Sequence, residues 1–311
     1  MLSDVPGVRV GHWTNGEART GCTVVLLPRK AVASGEIRGG APATREFALL
    51  EPWRMIPSID AVVLSGGSAF GLAAADGVIR WLEEHGRGFV TNTATVPIVV
   101  GMSLYDLGVG DASVRPGPAE GRAAAEAAGP DPDPASSPET ADPLPGASDS
   151  AANLGLIGAG TGATVGKWGG PDTTRPGGLV TATIRSGDVI VSALLAANAY
   201  GWVDDGTTVA DPGPPIRPAP ADDGEPGSTD ALTTTNTTIG VVVTNAVVDK
   251  VGCHLLAQSA HDGLARALVP AHTAADGDAL VAVATGQVEA DLMHLRLLAQ
   301  HAVTRAIRTL L

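Results

Sequence analysis

The clearest change of pattern along the chain comes at residue 237, where a polar segment becomes an apolar strand. Residues 233–238 read Thr-Thr-Thr-Asn-Thr-Thr, and the next five read Ile-Gly-Val-Val-Val, with no turn signal at the junction. Runs of β-branched apolar residues are typical of buried strands. The pattern therefore predicts a polar loop that passes directly into a buried strand at Thr237.

Short apolar runs elsewhere in the chain predict further strands. The runs at residues 7–11, 22–27 and 61–65 are strand-like in length, and each contains valine. Residues 181–185 and 189–194 flank a Ser-Gly-Asp turn, which is the pattern of a β-hairpin. These runs supply the strands of the predicted fold.

Three segments have apolar residues at helical spacing. The first follows Gly66-Gly67-Ser68, ends near Gly86 and places five apolar side chains on one face. Those five are Phe70, Ala74, Val78, Trp81 and Leu82. The other two helices, at residues 248–268 and 289–311, are separated by a predicted strand at 280–284. Because strands alternate with helices, we expect α/β layering.

Composition adds two acidic, proline-rich tracts that interrupt this pattern, at residues 129–152 and 211–235. Such segments bury too little apolar surface to offset the entropy of ordering them, so we expect both to be disordered. A chain of 311 residues can hold two domains or one large layered α/β domain. We expect one domain, residues 1–311, that contains both tracts.

Charge and cysteine content argue against several classes of protein. The net charge is −13 and aromatic residues make up 3% of the chain, which does not suit a nucleic-acid-binding surface. The first residues do not form a secretory signal, and no apolar run approaches the roughly 20 residues that span a bilayer. A cytoplasmic protein without membrane contact is expected. Cys22 and Cys253 lie in apolar surroundings and are predicted to be buried thiols.

The Asn236–Thr237 bond is the first candidate for chemistry. If the chain cut itself there, Thr237 would carry both a nucleophilic hydroxyl and a free α-amine. An α-amine has a reference pKa of about 8, so it can accept the hydroxyl proton at neutral pH. Threonine is also an ordinary strand residue and asparagine an ordinary loop residue, and residues 233–238 alone favour that structural interpretation.

Residues 158–168 form a glycine-rich segment that ends in Lys167-Trp168. A phosphate-binding loop requires glycine where Thr161 stands, and serine or threonine where Trp168 stands. The dinucleotide-binding pattern is also only approximate, since Ala163 takes the third glycine position and no clear strand precedes it. We interpret the glycines as allowing close backbone approach. Lys167 then either projects into a site or lies solvated on the surface.

Asp276-Gly277-Asp278 lies just before the predicted strand at 280–284. Two carboxylates this close can separate their pKa values and orient a hydroxyl or an ammonium group. The same tripeptide is also a common turn. The sequence therefore predicts either an acidic pair in a site or a simple turn.

Asn198 ends the apolar run of the second hairpin strand. Its amide can donate to a developing oxyanion, or it can cap the strand end. The histidines show no metal-ligand spacing, and His272 is interpreted as a structural or surface histidine. We expect no metal and no cofactor.

Taken in order, these motifs resemble those of the DmpA-type family of self-cleaving N-terminal-nucleophile hydrolases. The family includes L-aminopeptidase/D-Ala-esterases, β-aminopeptidases and nylon-oligomer hydrolases. The resemblance is densest at Asn236-Thr237-Thr238-Ile239 and at Pro270-Ala271-His272-Thr273, which leads into Asp276-Gly277-Asp278. Residues 158–167 and Asn198-Ala199-Tyr200-Gly201 precede the cleavage site, as in the family. The resemblance covers nearly the full length outside the two acidic tracts.

The resemblance implies a four-layer αββα sandwich of the type shared with ornithine acetyltransferases. It also implies self-cleavage into residues 1–236 and 237–311. By the same resemblance, Thr237 is the nucleophile, Asn198 the oxyanion donor and Tyr105 the site tyrosine.

Lys167 with Asp276 and Asp278 resembles the nylon-oligomer hydrolase arrangement, whereas members nearer the β-aminopeptidases carry Ser-Gly-Glu in place of Asp-Gly-Asp. The implied function is hydrolysis of amide bonds through an acyl-Thr237 ester, in small peptides or ω-amino-acid oligomers. The implied assembly is a homo-oligomer of processed protomers. Two alternatives stay open: an acyltransferase of the ornithine-acetyltransferase type, and an unprocessed non-catalytic or nucleotide-binding protein.

Overall fold

The computed structural model describes residues 1–129, 149–207, 212–213 and 236–311. Most of both acidic tracts lies outside these residues. The expectation of disorder was wrong at the end of the first tract, because a strand begins at Ser150 and pairs along its length with a neighbouring strand.

The described residues form seventeen strands and four α-helices. The strands in the first half of the chain are β1 (Arg9–Asn15), β2 (Thr20–Leu26), β3 (Val32–Ile37), β4 (Ala43–Arg45), β5 (Ala61–Ser65), β6 (Phe89–Val90), β7 (Thr95–Val96) and β8 (Val99–Ser103). Those in the second half are β9 (Ser150–Gly155), β10 (Thr164–Val165), β11 (Arg175–Pro176), β12 (Gly178–Ser186), β13 (Val189–Asn198), β14 (Trp202–Val203), β15 (Thr237–Ala246), β16 (Leu268–Val269) and β17 (Ala279–Val288). The helices are α1 (Ala74–Glu84), α2 (Pro118–Ala127), α3 (Lys250–Ala265) and α4 (Leu292–Arg308).

Two large mixed sheets carry the fold. The first has five strands in the order β1-β2-β5-β8-β4, and the second has six in the order β3-β17-β15-β13-β12-β9. In the second sheet, β15 lies between β13, to which it is antiparallel, and β17, to which it is parallel. The predicted hairpin is the pair β12 and β13, and it extends further in both directions than the sequence pattern indicated.

Alternate residues along the strands divide between separate cores, since successive side chains point to opposite faces of a sheet. Val62 and Leu64 of β5 join Val241 of β15 in a core shared by the two sheets. Val63 belongs instead to a core under α1 and α2, and Val242 to a core under α3 and α4. Helices therefore cover both outer faces of a sheet pair, which is the predicted four-layer αββα sandwich.

The helix pair on the first sheet packs at very close range. A Cβ atom placed on Gly77 of α1 would lie 1.8 Å from the carbonyl oxygen of Pro118. One placed on Gly121 of α2 would lie 1.9 Å from the carbonyl oxygen of Ala74. Reciprocal glycines let the two backbones approach where any side chain would overlap an atom.

Two predictions about helices need correction. Phe70 does not join the buried face of α1, because residues Ser68–Ala73 form a 3₁₀ helix whose tighter turn changes the direction of its side chains. Phe70 is 60% exposed, and its ring lies under the Arg115 guanidinium at 4.1 Å. The last two helices also begin later than expected, because Asp249 and Asp291 cap their first turns by accepting backbone N–H groups.

Cys22 and Cys253 are fully buried free thiols, as predicted. Burial raises the pKa of each thiol to about 12, so neither is a nucleophile at neutral pH. Among the described residues, no helix combines the length and apolar character needed to cross a lipid bilayer.

Candidate active site

Strand ends of the second sheet bring the predicted site residues together. In the antiparallel pair β13 and β15, Asn198 is the register partner of Thr237. On the other side of β15, Asn236 forms a parallel bridge with Asp276, immediately before the parallel pairing with β17. Residues that are 38 or more positions apart in the chain therefore lie side by side at one edge of the sheet.

The Asn236–Thr237 peptide is buried, with Thr237 only 4% exposed. The carbonyl oxygen of Asn236 accepts a hydrogen bond from the Gly277 N–H at 2.7 Å. The Thr237 hydroxyl donates to the same oxygen. The Gly277 N–H polarises this carbonyl toward attack at its carbon, and the Thr237 hydroxyl lies against the same carbonyl.

Gly277 also makes room for the Thr237 hydroxyl. A Cβ atom at this position would lie 2.7 Å from Thr237 Oγ1 and 2.5 Å from the carbonyl oxygen of Ala41. The glycine between the two aspartates is therefore required by close approach, and the tripeptide is more than a turn.

Asp276 is held by three donors on two neighbouring segments. Its Oδ2 accepts from the hydroxyl and the N–H of Thr273 at 2.6 and 2.9 Å, and its Oδ1 accepts from the Tyr200 N–H at 3.2 Å. Burial raises the pKa of Asp276 to about 6, the charge of Asp278 adds to the rise, and the hydrogen bonds oppose it.

Asp278 accepts a hydrogen bond from the residue that follows Thr237. Its Oδ1 accepts from the Thr238 N–H at 2.6 Å. Its Oδ2 lies 2.8 Å from His272 Nδ1 and accepts from the His272 N–H at 3.2 Å. The side chain of Asp278 is 2% exposed, so these groups replace water around it.

Asn198 and Lys167 form the opposite side of the site. Asn198 Oδ1 accepts from Lys167 Nζ at 2.9 Å and from the Thr164 N–H at 3.0 Å. Asn198 Nδ2 donates to the carbonyl oxygen of Tyr105 at 2.9 Å. An amide nitrogen carries two hydrogens, and the contact with Tyr105 uses one of them.

Burial of the Lys167 amine changes its pKa, although the Lys167 residue as a whole is partly exposed to solvent. Burial lowers the pKa of Lys167 to about 7, while the charges of Asp276 and Asp278 act against the shift. At neutral pH the amine is thus populated in both its charged and its neutral form. The Lys167 amine lies against Asn198, and its place in a catalytic site stays a prediction.

Tyr105 reaches the site through its backbone carbonyl, which accepts from Asn198. The next residue, Asp106, ties the glycine-rich segment after β5 to the strand β2. Its carboxylate accepts from the Gly67 N–H and the Thr20 hydroxyl, both at 2.7 Å. Residues 105–106 therefore connect the first sheet to Asn198 on the second.

The sequence analysis did not predict that a second backbone segment packs against Asp276 and Asp278. Residues 38–41 run alongside the Asp276-Gly277-Asp278 segment: the Arg38 N–H donates to the Asp278 carbonyl, and the Ala41 N–H donates to the Asp276 carbonyl. A Cβ atom on Gly39 would lie 2.3 Å from backbone atoms of both aspartates. The signal was the Gly39-Gly40 pair directly after a strand, which indicates close approach of another backbone.

His272 was interpreted as a structural or surface histidine, and its ring contacts Asp278. Its ring packs edge-on against the His261 ring of α3, with centroids 4.9 Å apart. Burial lowers the pKa of His272, but the hydrogen bond and the charge of Asp278 outweigh this effect and leave the pKa raised. The sequence signal for this contact was that His272 lies only six residues before Asp278.

The described part of the chain contains no group of three His, Cys, Asp or Glu side chains arranged to hold a metal ion. The arrangement instead joins a buried threonine, a polarised carbonyl, a buried amine of lowered pKa and two carboxyl groups. Those parts suit acyl transfer from an amide to a hydroxyl group.

Residues 1–310 match the model of peptidase family S58. The chain belongs to this family, and it is a hydrolase of the peptidase and amidase class. Its fold is that of the DmpA-type variant of N-terminal-nucleophile hydrolases.

Curated relatives span most of the chain. An uncharacterized aminopeptidase of Mycobacterium leprae is 40% identical over 311 residues, which cover 93% of this chain and 79% of that protein. A 6-aminohexanoate-oligomer endohydrolase of Agromyces sp. is 31% identical over 297 residues, which cover 92% of this chain and 75% of the enzyme.

Solved structures show the same fold. The L-aminopeptidase D-Ala-esterase/amidase of Ochrobactrum anthropi superposes with a TM-score of 0.67 at 20% identity, covering 99% of this chain and 84% of that one. A β-aminopeptidase of Burkholderia sp. superposes with a TM-score of 0.65 at 22% identity, covering 98% and 84%.

Proposed function

We propose that the chain cuts its own Asn236–Thr237 bond and then uses the released Thr237 as the nucleophile of an amide hydrolase. The observation that carries this proposal is the Asn236 carbonyl, whose oxygen accepts from the Gly277 N–H and against which the Thr237 hydroxyl lies. Donors aimed at a carbonyl oxygen stabilise the negative charge that develops there during attack.

In the self-cleavage step, Thr237 Oγ1 bonds to the carbonyl carbon of Asn236, and the bond from that carbon to the Thr237 nitrogen breaks. The hydroxyl proton ends on that nitrogen, which becomes the free α-amine. Water then hydrolyses the ester, leaving a carboxyl group on Asn236 and restoring the hydroxyl of Thr237. In the intact chain no α-amine is available, so Lys167, whose pKa is about 7, is the group we assign to accept the hydroxyl proton transiently.

In turnover, the α-amine of Thr237 takes over as base, because its reference pKa is about 8. Asp276 orients and tunes that amine. The second amide hydrogen of Asn198 stabilises the oxyanion of the acyl-transfer step. The substrate amide is thus cleaved through an acyl-Thr237 ester, which water hydrolyses.

We assign the substrates to small amides: short peptides or ω-amino-acid oligomers. The Mycobacterium relatives are named as aminopeptidases, and the Agromyces relative is named for 6-aminohexanoate oligomers. The paired carboxylates and Lys167 are the arrangement that the sequence resemblance associates with the second group. A panel containing both amide types tests which one is turned over.

Intact-mass spectrometry of the denatured protein is the deciding experiment for self-cleavage. We expect a fragment of 75 residues, from 311 − 236, that begins at Thr237. The Thr237→Ala chain should remain whole and inactive, whereas Thr237→Ser should still be cut. A Thr237→Ala chain that is cut normally would rule out Thr237 as the nucleophile.

Asp278→Asn provides a second test with both readouts. Replacing one carboxylate oxygen by an NH₂ group removes an acceptor used by Thr238 or by His272. We expect slower self-cleavage and slower turnover of the small amides. Unchanged rates of both would remove Asp278 from the site.

A further inference from the structure

The two ring nitrogens of His272 both face acceptors. Nε2 lies 3.2 Å from the carbonyl oxygen of His261, and Nδ1 lies 2.8 Å from Asp278 Oδ2. A carbonyl oxygen can only accept a hydrogen bond, so Nε2 carries a proton. The charge of the ring therefore depends on which partner holds the proton between Nδ1 and Asp278.

The surroundings of Asp278 decide the position of that proton. Its Oδ1 accepts from the Thr238 N–H at 2.6 Å, and its Oδ2 also accepts from the His272 N–H at 3.2 Å. Both backbone groups are donors, which is the environment of an ionised carboxylate. The proton then belongs on Nδ1, and the imidazole ring carries a positive charge.

The neighbouring His261 does not share this charge. Its Nε2 lies 2.9 Å from the carbonyl oxygen of Glu36, so Nε2 is protonated, while its Nδ1 is buried without a hydrogen-bond partner among the described residues. Burial lowers the pKa of His261 to about 4, which keeps this ring neutral. One histidine of the pair is therefore charged and the other is neutral.

Two charged side chains act on the His272 ring. Asp278 lies in its own loop, and Arg38 lies just after β3. The Arg38 guanidinium forms ion pairs with Asp262 of α3 at 2.7 Å and with Glu36 of β3 at 3.4 Å. The arginine charge that opposes His272 is therefore itself paired. The net surroundings of the ring are negative.

We propose that His272 is a positively charged positioning residue that pairs with the carboxylate of Asp278 through Nδ1. This proposal deepens the proposed function, on which its kinetic part rests. Ionised Asp278 holds the Thr238 N–H and so positions the residue next to the nucleophile.

The charge of His272 can be measured without any activity. We expect nitrogen NMR of the Thr237→Ala chain to show His272 protonated on both ring nitrogens at pH 7, and His261 protonated on Nε2 alone. A neutral His272 ring with a proton on Nε2 only would overturn the proposal, whether or not the wild-type chain cleaves itself.

Asparagine is the matched substitution for the kinetic test. His272 has a left-handed backbone with φ of 56°, which asparagine tolerates better than most residues. The asparagine amide also keeps a donor near the position of Nδ1, so His272→Asn removes the charge and retains a hydrogen bond to Asp278. His261→Gln is the control, because its amide nitrogen replaces the Nε2 donor of a ring that is already neutral.

In the pH dependence of kcat, loss of a positive charge beside two carboxylates should move the acid limb upward by about one pH unit. We expect that shift in His272→Asn and no shift in His261→Gln. An acid limb unchanged in His272→Asn, with activity merely reduced, would mean that His272 acts only in packing. An inactive, uncut wild-type chain would instead contradict the proposed function and leave the NMR result to decide the charge of His272.

Discussion

At the scale of single residues, the site depends on the absence of a side chain as much as on the side chains present. Gly277 places its N–H against the Asn236 carbonyl and leaves space for the Thr237 hydroxyl. Neither contact requires a left-handed backbone at this glycine, since its φ is outside the positive range. Position 277 is constrained only by the lack of space for a Cβ atom, so an alanine substitution tests it directly.

Gly277→Ala should slow self-cleavage about 100-fold or more, because its Cβ would displace the attacking hydroxyl and shift the donor to the carbonyl. The measurement is the fraction of cut chain with time after refolding, by intact mass. Gly16→Ala is the matched control, since a Cβ there meets no atom within 4 Å. Equal cleavage rates in the two variants would contradict the assigned role of Gly277.

The acidity of Lys167 leads to a prediction about pH. If the neutral amine accepts the hydroxyl proton in the uncut chain, the cleavage rate should rise as pH increases through about 7, where Lys167 loses its proton. Lys167→Met should lower the rate by about 100-fold or more and abolish this rise. The rate is followed after refolding denatured chain at a series of pH values, with the exposed Lys30→Met as control. A wild-type rate that falls between pH 6 and 8 would exclude Lys167 as the base.

At the scale of elements, strand register and helix packing have different consequences. The register of β13 with β15 brings Asn198 to Thr237, and a slip by one residue would turn Asn198 to the opposite face of the sheet. The α1 and α2 helices lie on the other sheet and contribute no residue to the site. Their close crossing at Gly77 and Gly121 is therefore a matter of stability.

Gly77→Ala should destabilise the fold by about 1–3 kcal/mol, because overlap with the Pro118 carbonyl outweighs the gain in helix propensity. Urea unfolding of this variant in the uncut Thr237→Ala background measures the loss. Gly16→Ala in the same background should change the free energy of unfolding by less than about 0.5 kcal/mol. A Gly77→Ala chain as stable as the control would show that the helices can separate at little cost.

At the scale of the whole molecule, the proposed cut falls at the start of a central strand. Residues 237–311 contribute β15 and β17 to the second sheet and both helices that cover it. Strand β15 lies between β13 of the longer fragment and β17 of its own, so separation would break a sheet and open two cores.

We therefore expect the two fragments to stay associated after cleavage. Size-exclusion chromatography in native buffer should give the same elution volume for wild-type protein and for the uncut Thr237→Ala chain. Denaturing electrophoresis should separate the wild type into its two fragments and show one band for Thr237→Ala. Release of the 75-residue fragment in native buffer would contradict the structural argument.

Much of this architecture could be predicted from local patterns. The short apolar runs and the helical stripes predicted the layered class, and Ala61–Ser65 was predicted to the residue. Phe70 and the first turns of α3 and α4 were predicted wrongly, because a 3₁₀ turn and two aspartate caps override the apolar period. Such local hydrogen bonds are poorly visible in hydrophobicity alone.

The sequence by itself determined the nucleophile candidate, the acidic pair, Asn198, Lys167 and the order in which they occur, because each depends on residue type and neighbours in the chain. Only the tertiary structure decided that Gly277 donates to the Asn236 carbonyl and that His272 contacts Asp278. The same holds for the backbone hydrogen bonds from residues 38–41 to the acidic pair. These contacts join segments through sheet register and close backbone approach. Their geometry, and the burial that shifts the pKa of Asp276 and of Lys167, exists only once the sheets have packed.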